Sequence, residues 1–359
     1  MKWLEIVKQV FVDGGPSTCQ FAITNVCNAA CDFCSFSRDR LPAKSGKSVL
    51  LGDALRAIDV LYTHGVRFLV VTGGEPMVHR HCNDILKHAK EVGMTTMMVS
   101  NGSAFTERSI DALAETGLSG VIISIDAPDV QAHEHNRGLS GVCEKIKKGL
   151  ERFRHHKIGC TASVTCSRLI KTPGKLPEFL RDLGFEAVTF SFPLTALESS
   201  YLGAADSDLV TFSKDELHDW IETVKGLKRD IPVLNPTASL DDMHAHLDER
   251  PQRFECLGGW KQFYLDWNLY LWRCNSWKRP MCHIFEFDGS QRIRDGCQSC
   301  MVDCFRDASV QQHVAVSVAD AVDSLRRGKI SQAAKQIFTR ENAASINSVL
   351  ETSFWLARV

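Results

Sequence analysis

From Thr18 to Phe192, short β-branched or apolar runs alternate with longer stretches in which apolar residues recur at helical spacing, the pattern of a parallel sheet covered by helices. The runs predict six strands, over Cys19–Thr24, Phe68–Thr72, Thr96–Ser100, Val121–Asp126, Thr161–Cys166 and Ala187–Phe192. Between them, Leu51, Leu55, Ile58 and Tyr62 fall on one helical face, as do Val142, Ile146, Leu150 and Phe153. Helical crossovers joining six parallel strands describe either a doubly wound sheet or an incomplete version of the eight-strand barrel, and periodicity alone does not choose. In both, ligands gather where strands end. Gly73-Gly74-Glu75-Pro76, Asn101-Gly102 and Asp126 all follow strands, which places the candidate active face.

After Phe192 the rhythm breaks into a polar loop, a helix predicted to begin near Ser213 with Glu216 as capping-box partner, and a linker around Pro232 and Pro236. Between Phe254 and Phe305 lie six of the fourteen cysteines and four of the seven tryptophans, the composition of a small second domain stapled by something other than a large core. The last fifty residues, including Ser317-Val318-Ala319-Asp320, read as helices with an N-cap there. The expected division is an N-terminal extension over 1–17, a core domain over 18–230, a cysteine-rich domain over 231–310 and a helical segment over 311–359.

Lys plus Arg total 42 against 43 Asp plus Glu, and a formal charge of -1 offers no electrostatic footprint for a nucleic-acid backbone or an anionic membrane. Glu5, Lys8 and Asp13 interrupt the opening residues, unlike a secretory signal, and no apolar run approaches the ~20 residues that cross a bilayer. The expectation is a cytoplasmic protein with neither nucleic-acid nor membrane partner. In that compartment fourteen cysteines point to metal binding or reactivity rather than disulfides.

Cys27, Cys31 and Cys34 lie in the loop after the first strand as C-x3-C-x2-C, close enough for one segment to wrap a soft metal centre. Structural zinc takes four protein ligands, whereas three thiolates leave one position for an exogenous group. A zinc knuckle completed by a distant residue, or simply buried thiols, are the competing readings.

These cysteines, with Phe33 before the last of them and Gly73-Gly74-Glu75-Pro76 after the second strand, resemble the radical S-adenosylmethionine (SAM) superfamily over roughly residues 18–192. The resemblance implies a partial (β/α)6 TIM-type barrel, with Cys27, Cys31 and Cys34 holding a 4Fe-4S cluster whose open iron is chelated by SAM. It implies Phe33 near the adenine, Gly73 and Gly74 allowing close approach of backbone to ligand, and Glu75 and Pro76 facing the methionyl ammonium. Asn101, Ser124 and Asp126 are similar to segments that contact SAM's sugar and methionyl parts, with a turn and a helix cap as the alternatives. Arg137 would pair with the SAM carboxylate, or else be a solvated loop arginine.

Cys256, seventeen residues, Cys274, then Cys297-Gln298-Ser299-Cys300 form a four-thiolate constellation, and Phe263–Asn268 reads as a hairpin between the first two. On spacing alone a four-cysteine zinc site competes. Beside the first motif it resembles the twitch domain, the short form of the SPASM domain, which implies that Cys256, Cys274, Cys297 and Cys300 ligate an auxiliary 4Fe-4S cluster. Cys282 and Cys304 are surplus to one cluster. Cys19, Cys82, Cys143 and Cys160 are expected to pack as small hydrophobes, while Cys166, ending the fifth strand, is either a buried thiol or a hydrogen-atom donor.

The implied chemistry is hydrogen abstraction from a small molecule, in the first reading an alcohol oxidised with the auxiliary cluster as electron acceptor and a flavodoxin or ferredoxin as low-potential donor. The segment before the first strand is short for a leader-peptide recognition domain, which disfavours a peptide substrate. Competing readings are a redox-neutral epimerase, decarboxylase or dehydratase, a peptide-modifying maturase, and a zinc-stabilised or iron-sulfur carrier protein without catalysis.

Overall fold

The computed structural model describes residues 12–41, 43–193, 207–274 and 276–356. Most of the expected N-terminal extension, and the polar loop over 194–206, lie outside the described residues.

The six predicted strands form as β1 (Ser17–Thr24), β2 (Val66–Gly73), β3 (Thr95–Ser100), β4 (Gly120–Ile125), β5 (Gly159–Thr165) and β6 (Val188–Ser191). They pair in parallel, each with its sequence neighbour, through α1 (Leu51–Thr63), α2 (Cys82–Glu91), α3 (Glu107–Glu115), α4 (Val130–Arg137), α5 (Val142–His155) and α6 (Leu176–Leu183). This is the partial TIM-type barrel. Its outward strand positions, among them Phe21, Leu69, Met98, Ile123, Val164 and Phe190, share one buried core with the covering helices. The α5 stripe of Val142, Ile146, Leu150 and Phe153 is buried as periodicity predicts. In α1 the fully buried stripe is instead Ala54, Ala57, Ile58 and Leu61, with Leu51 and Tyr62 partly buried against the same core.

Inward positions alternate with these and keep accessible surface: Thr18 and Gln20 on β1, Ser124 on β4, Ser163 and Thr165 on β5, Thr189 and Ser191 on β6. Ser124 is in register with Ser163 and Ser163 with Thr189, while Thr165 faces Ser191, so the β4–β6 wall of the lumen is a hydroxyl-bearing surface.

The capping box predicted at Ser213 and Glu216 starts α7 (Lys214–Leu227), and the Pro232 segment adds itself to the β6 edge through Val188 and Val233 before α8 (Thr237–Leu247). The sheet does not end at β1. On its other side come β7 (Gln262–Leu265), parallel to β1, then β8 (Tyr270–Trp272) and β9 (Cys282–His283), both antiparallel. The predicted hairpin is β7–β8, closed by Asp266, whose carboxylate accepts from Asn268 N, Tyr270 N and Trp272 Nε1.

A long helix, α9 (Asp303–Arg326), then returns to the barrel and packs with α10 (Ile330–Ile337) and α11 (Arg340–Leu356). Ser317 lies inside α9 and not at an N-cap. Its hydroxyl meets His313 one turn earlier, so the polar residue that looked like a start is absorbed by the helix itself. Arg306 of α9 and Asp242 of α8 form a buried pair at 2.8 Å, and Arg306 also donates to Phe254 O, tying the cysteine-rich segment to both helices. Among the described residues no helix is long and apolar enough to cross a membrane.

Candidate active site

The C-terminal ends of β1 and β2 meet unusually closely. Gly74 N donates to Thr24 O at 2.8 Å and Glu75 N to Val26 O at 2.9 Å. A Cβ on Gly73, where φ is 137°, would lie 2.2 Å from Thr24 O, and one on Gly74 would lie 2.1 Å from Val26 O. The close approach these glycines permit is thus to the backbone leading into the cysteine loop. Gly74→Ala is expected to push that loop away, costing about 1–3 kcal/mol or more because the obstacle is backbone. Iron content after reconstitution and the melting temperature test this, and wild-type values for both would refute it.

Glu75 is buried, and both its oxygens are used: Oε2 accepts from Asn101 N at 2.7 Å, and Oε1 from Ser100 Oγ at 2.9 Å and Met77 N at 3.2 Å. Burial raises its pKa and these donors oppose the rise. Pro76 opens the short turn that follows. Asn101 Nδ2 reaches Asn28 Oδ1 at 2.9 Å and lies 3.9 Å from Cys27 Sγ. The glycine-rich strand end, the Asn101 turn and the cysteine loop are one hydrogen-bonded unit.

On the opposite side stand Asp126 and Arg137. Asp126 Oδ1 accepts from Arg137 Nη2 at 2.6 Å and Oδ2 from Asn136 Nδ2 at 2.8 Å, all buried. Burial alone would raise the Asp126 carboxyl, but Arg137, His133 and Asn136 bring it below its ordinary value. Burial pushes His133 down to about 4, with Arg137 adding to the effect. Arg137 O accepts from Ala30 N at 2.8 Å, and its guanidinium acts on Cys31 and Cys34. Arg137 Nε is buried with no hydrogen-bond partner.

Cys27, Cys31 and Cys34 sit between these two flanks. Burial raises all three thiols, Cys31 to about 12, and Arg137 opposes the rise in each. Among the described residues, no three His, Cys, Asp or Glu side chains are drawn together as a group to hold a metal ion. The three thiols nevertheless act electrostatically on one another. Three soft sulfurs on one loop, beside a buried guanidinium with an unused N–H, suit an iron-sulfur cluster with an anionic ligand on its open side. Phe33 is half-buried on the same loop, and Ser124 lines the lumen.

The thiols of the second constellation also act on one another. Cys274 is influenced by Cys300 and Cys256, and Cys300 by Cys256 and Cys297, while Cys256 N donates to Cys297 O at 3.0 Å. Cys282 lies on β9 with Glu286 and Asp288 as charged neighbours. Cys166 is fully buried in the main core, as are Cys19, Cys82 and Cys143 to within 4%.

Sequence reasoning missed the first turns of α9. Asp303 Oδ2 accepts from Ser191 Oγ of β6 at 3.2 Å, and Cys304 pairs with Gln20 of β1, so α9 spans the side opening between the first and last barrel strands. Cys304 keeps accessible surface. Burial raises Asp303 to about 6, and burial with the Asp303 charge raises Asp307 to about 8. The signal was Asp303 and Asp307 one helical turn apart directly after C-x2-C, a pair that reads from sequence alone as ordinary helix-start acids.

Residues 21–193 match the model of the radical SAM superfamily. An AdoMet-dependent heme synthase of Oleidesulfovibrio alaskensis is 27% identical over 158 residues, 44% of this chain and 40% of that protein. A GTP 3',8-cyclase of Chlorobaculum tepidum is 31% identical over 111 residues, 31% of this chain and 33% of that one. The chain therefore matches half or less of the length of these curated relatives. Among solved structures, native anSMEcpe with bound AdoMet superposes with a TM-score of 0.57 at 12% identity, covering 94% of this chain and 100% of that one. SuiB of Streptococcus suis bound to precursor peptide SuiA gives 0.57 at 14% identity, covering 79% and 65%. These two show a shared fold.

Proposed function

Because the chain carries a radical SAM domain over residues 21–193, we propose that it oxidises a small hydroxylated substrate inside the barrel lumen, with an auxiliary 4Fe-4S cluster receiving the second electron. Cys27, Cys31 and Cys34 would hold the SAM-binding 4Fe-4S cluster, and Cys256, Cys274, Cys297 and Cys300 the auxiliary one. Together with SAM, the first cluster supplies a 5′-deoxyadenosyl radical, an oxidant able to take hydrogen from unactivated carbon, which no side chain provides.

The chain's own residues bind, orient and enclose. Glu75, Asn101 and Asn28 fix the cysteine loop against β2 and β3, and the Asp126–Arg137 pair holds a cation beside its sulfurs. The hydroxyls of Ser124, Ser163, Thr165, Thr189 and Ser191 offer hydrogen bonds to a hydroxylated ligand. Asp303 Oδ2, already accepting from Ser191, is suited to take the substrate's hydroxyl proton, its pKa of about 6 being close to neutrality.

The observation that carries oxidation over a redox-neutral outcome is Cys304, which touches Gln20 in the lumen and is influenced by Cys274 of the second constellation. The decisive experiment gives reduced, reconstituted protein SAM and C-deuterated candidate alcohols. Deuterium in 5′-deoxyadenosine, with one carbonyl product per SAM consumed, is the expected result. An epimerised or dehydrated product would replace oxidation by the redox-neutral reading, and zinc without SAM cleavage would refute the enzyme. Binding of a peptide such as the SuiA that SuiB holds would favour a peptide substrate.

A further inference from the structure

Two arginines are buried around the second set of thiols, Arg273 directly after β8 and Arg306 on α9, 2% and 1% exposed. Arg306 acts on Cys300, but it meets its counter-charge in the same dry interior: Asp242, 2% exposed, accepts from Arg306 Nη2 at 2.8 Å. Those two charges cancel at short range. Arg273 is paired differently. Its Nη1 donates to Asp295 Oδ2 at 2.7 Å and its Nη2 to Asp295 Oδ1, a two-pronged fork, yet the Asp295 side chain is 50% exposed. Water screens an exposed carboxylate far more than a buried guanidinium, so the fork leaves a net positive field on its inner side.

The thiols lie within that field. A Cβ on Gly258 would meet Arg273 O at 3.3 Å and Cys256 Sγ at 3.4 Å, and Asp295 Oδ1 also accepts from Cys297 N at 3.2 Å. The Arg273 charge acts on Cys256, Cys274 and Cys297, and the Trp277 ring covers its guanidinium at 4.6 Å. At Cys256, Cys274 and Cys300 the amide two residues further on donates to the sulfur, a turn that favours the thiolate a metal centre requires. We infer that Arg273 sets the reduction potential of the auxiliary cluster, its dry guanidinium favouring the state that carries one more electron. The inference rests on Cys256, Cys274, Cys297 and Cys300 holding that cluster, and it adds the residue that makes the site an electron acceptor. The electron is the one left on the substrate after loss of a hydrogen atom and a proton: the substrate is oxidised to the carbonyl as the cluster is reduced by one electron. Arg273 is a positioning residue in that step, fixing the field and making no bond to the substrate.

The test is a potentiometric titration read by electron paramagnetic resonance on the full reconstituted chain carrying Cys31→Ala, in which the auxiliary cluster is the one left to give a signal. Adding Arg273→Gln is expected to shift the equilibrium about tenfold against the reduced cluster, a fall of about 59 mV for one electron. Arg273→Lys keeps the charge and should recover part of the shift. Asp295→Asn removes the screened counter-charge, leaves an oxygen for Cys297 N, and should move the potential upward by less. Opposite signs mark a field, whereas a structural brace would move both variants the same way or neither. Replacing the cancelled pair, with Arg306→Gln and Asp242→Asn together, should leave the potential close to that of the parent. Should Arg273→Gln fail to take up iron, the half-exposed Asp295→Asn still reads the sign. An unmoved potential in Arg273→Gln, a fall in Asp295→Asn, or an equal fall on replacing the Arg306 pair would overturn the assignment. A parent chain that holds zinc or gives no signal on reduction would refute the auxiliary cluster itself, while a normal signal with an unmoved potential refutes the role of Arg273 alone.

Discussion

Cys31→Ala is expected to abolish SAM cleavage and to lower iron from about eight to about four per chain, since each four-iron cluster depends on its own thiolates. Cys274→Ala is expected to remove the same amount of iron while 5′-deoxyadenosine still forms, with loss of the oxidised product. The asymmetry follows from position. Cys31 is 7% exposed and lies under the influence of both Arg137 and Asp126, on the flank proposed to receive SAM. Cys274 is influenced by Cys256 and Cys300 instead. Iron and sulfide analysis with quantified 5′-deoxyadenosine reads both variants. Retained SAM cleavage in Cys31→Ala, or its complete loss in Cys274→Ala, would break the proposed division of labour.

The second large effect is on stability. Arg137→Met leaves Asp126 buried with its Oδ1 unpaired, and breaking such a pair costs about 3–5 kcal/mol. Replacing both, as Arg137→Met with Asp126→Leu, should recover much of that, because an apolar pair carries no stranded charge. Urea denaturation of the singles and the double measures the coupling, and a single-variant loss under about 1 kcal/mol would contradict it. The pH dependence has a definite sign. At this site Asp126 is held below its ordinary value and His133 falls from 6.5 to about 4, so these two groups bind fewer protons folded than unfolded. Their contribution to stability is full above pH 6.5 and is lost as the pH falls through the His133 window and then into the carboxylate range, while Asp303 and Asp307, raised to about 6 and about 8, contribute with the opposite sign as the pH rises through those values.

The barrel strands were legible because an α/β sheet buried on one face by helices writes alternation and helical period directly into the chain, and the capping box at Ser213 is a local signal. The cysteine spacings and Gly73-Gly74 were legible for the same reason: each needs only a few consecutive residues. What Gly74 packs against was not, because Val26 lies in the loop after β1, almost fifty residues earlier in the chain. Arg137 read as a loop arginine or a SAM ligand, and its pairing with Asp126 depends on α4 turning back over the end of β4. Asp303, Cys304 and Asp307 were hardest. Their meaning comes from α9 crossing to β1 and β6, more than a hundred residues earlier in the chain.

If Cys256, Cys274, Cys297 and Cys300 hold a cluster as proposed, that crossing would give them a mechanical as well as an electronic role. The helix that seals the barrel's flank begins three residues after Cys300, and its N-cap residue Val302 packs with Ala22, Tyr264, Trp272 and Phe305 beside three of those cysteines. On that proposal, whatever grips the thiols would also hold the wall of the reaction vessel in place, and a chain starved of iron there would lose enclosure of the barrel along with its electron acceptor.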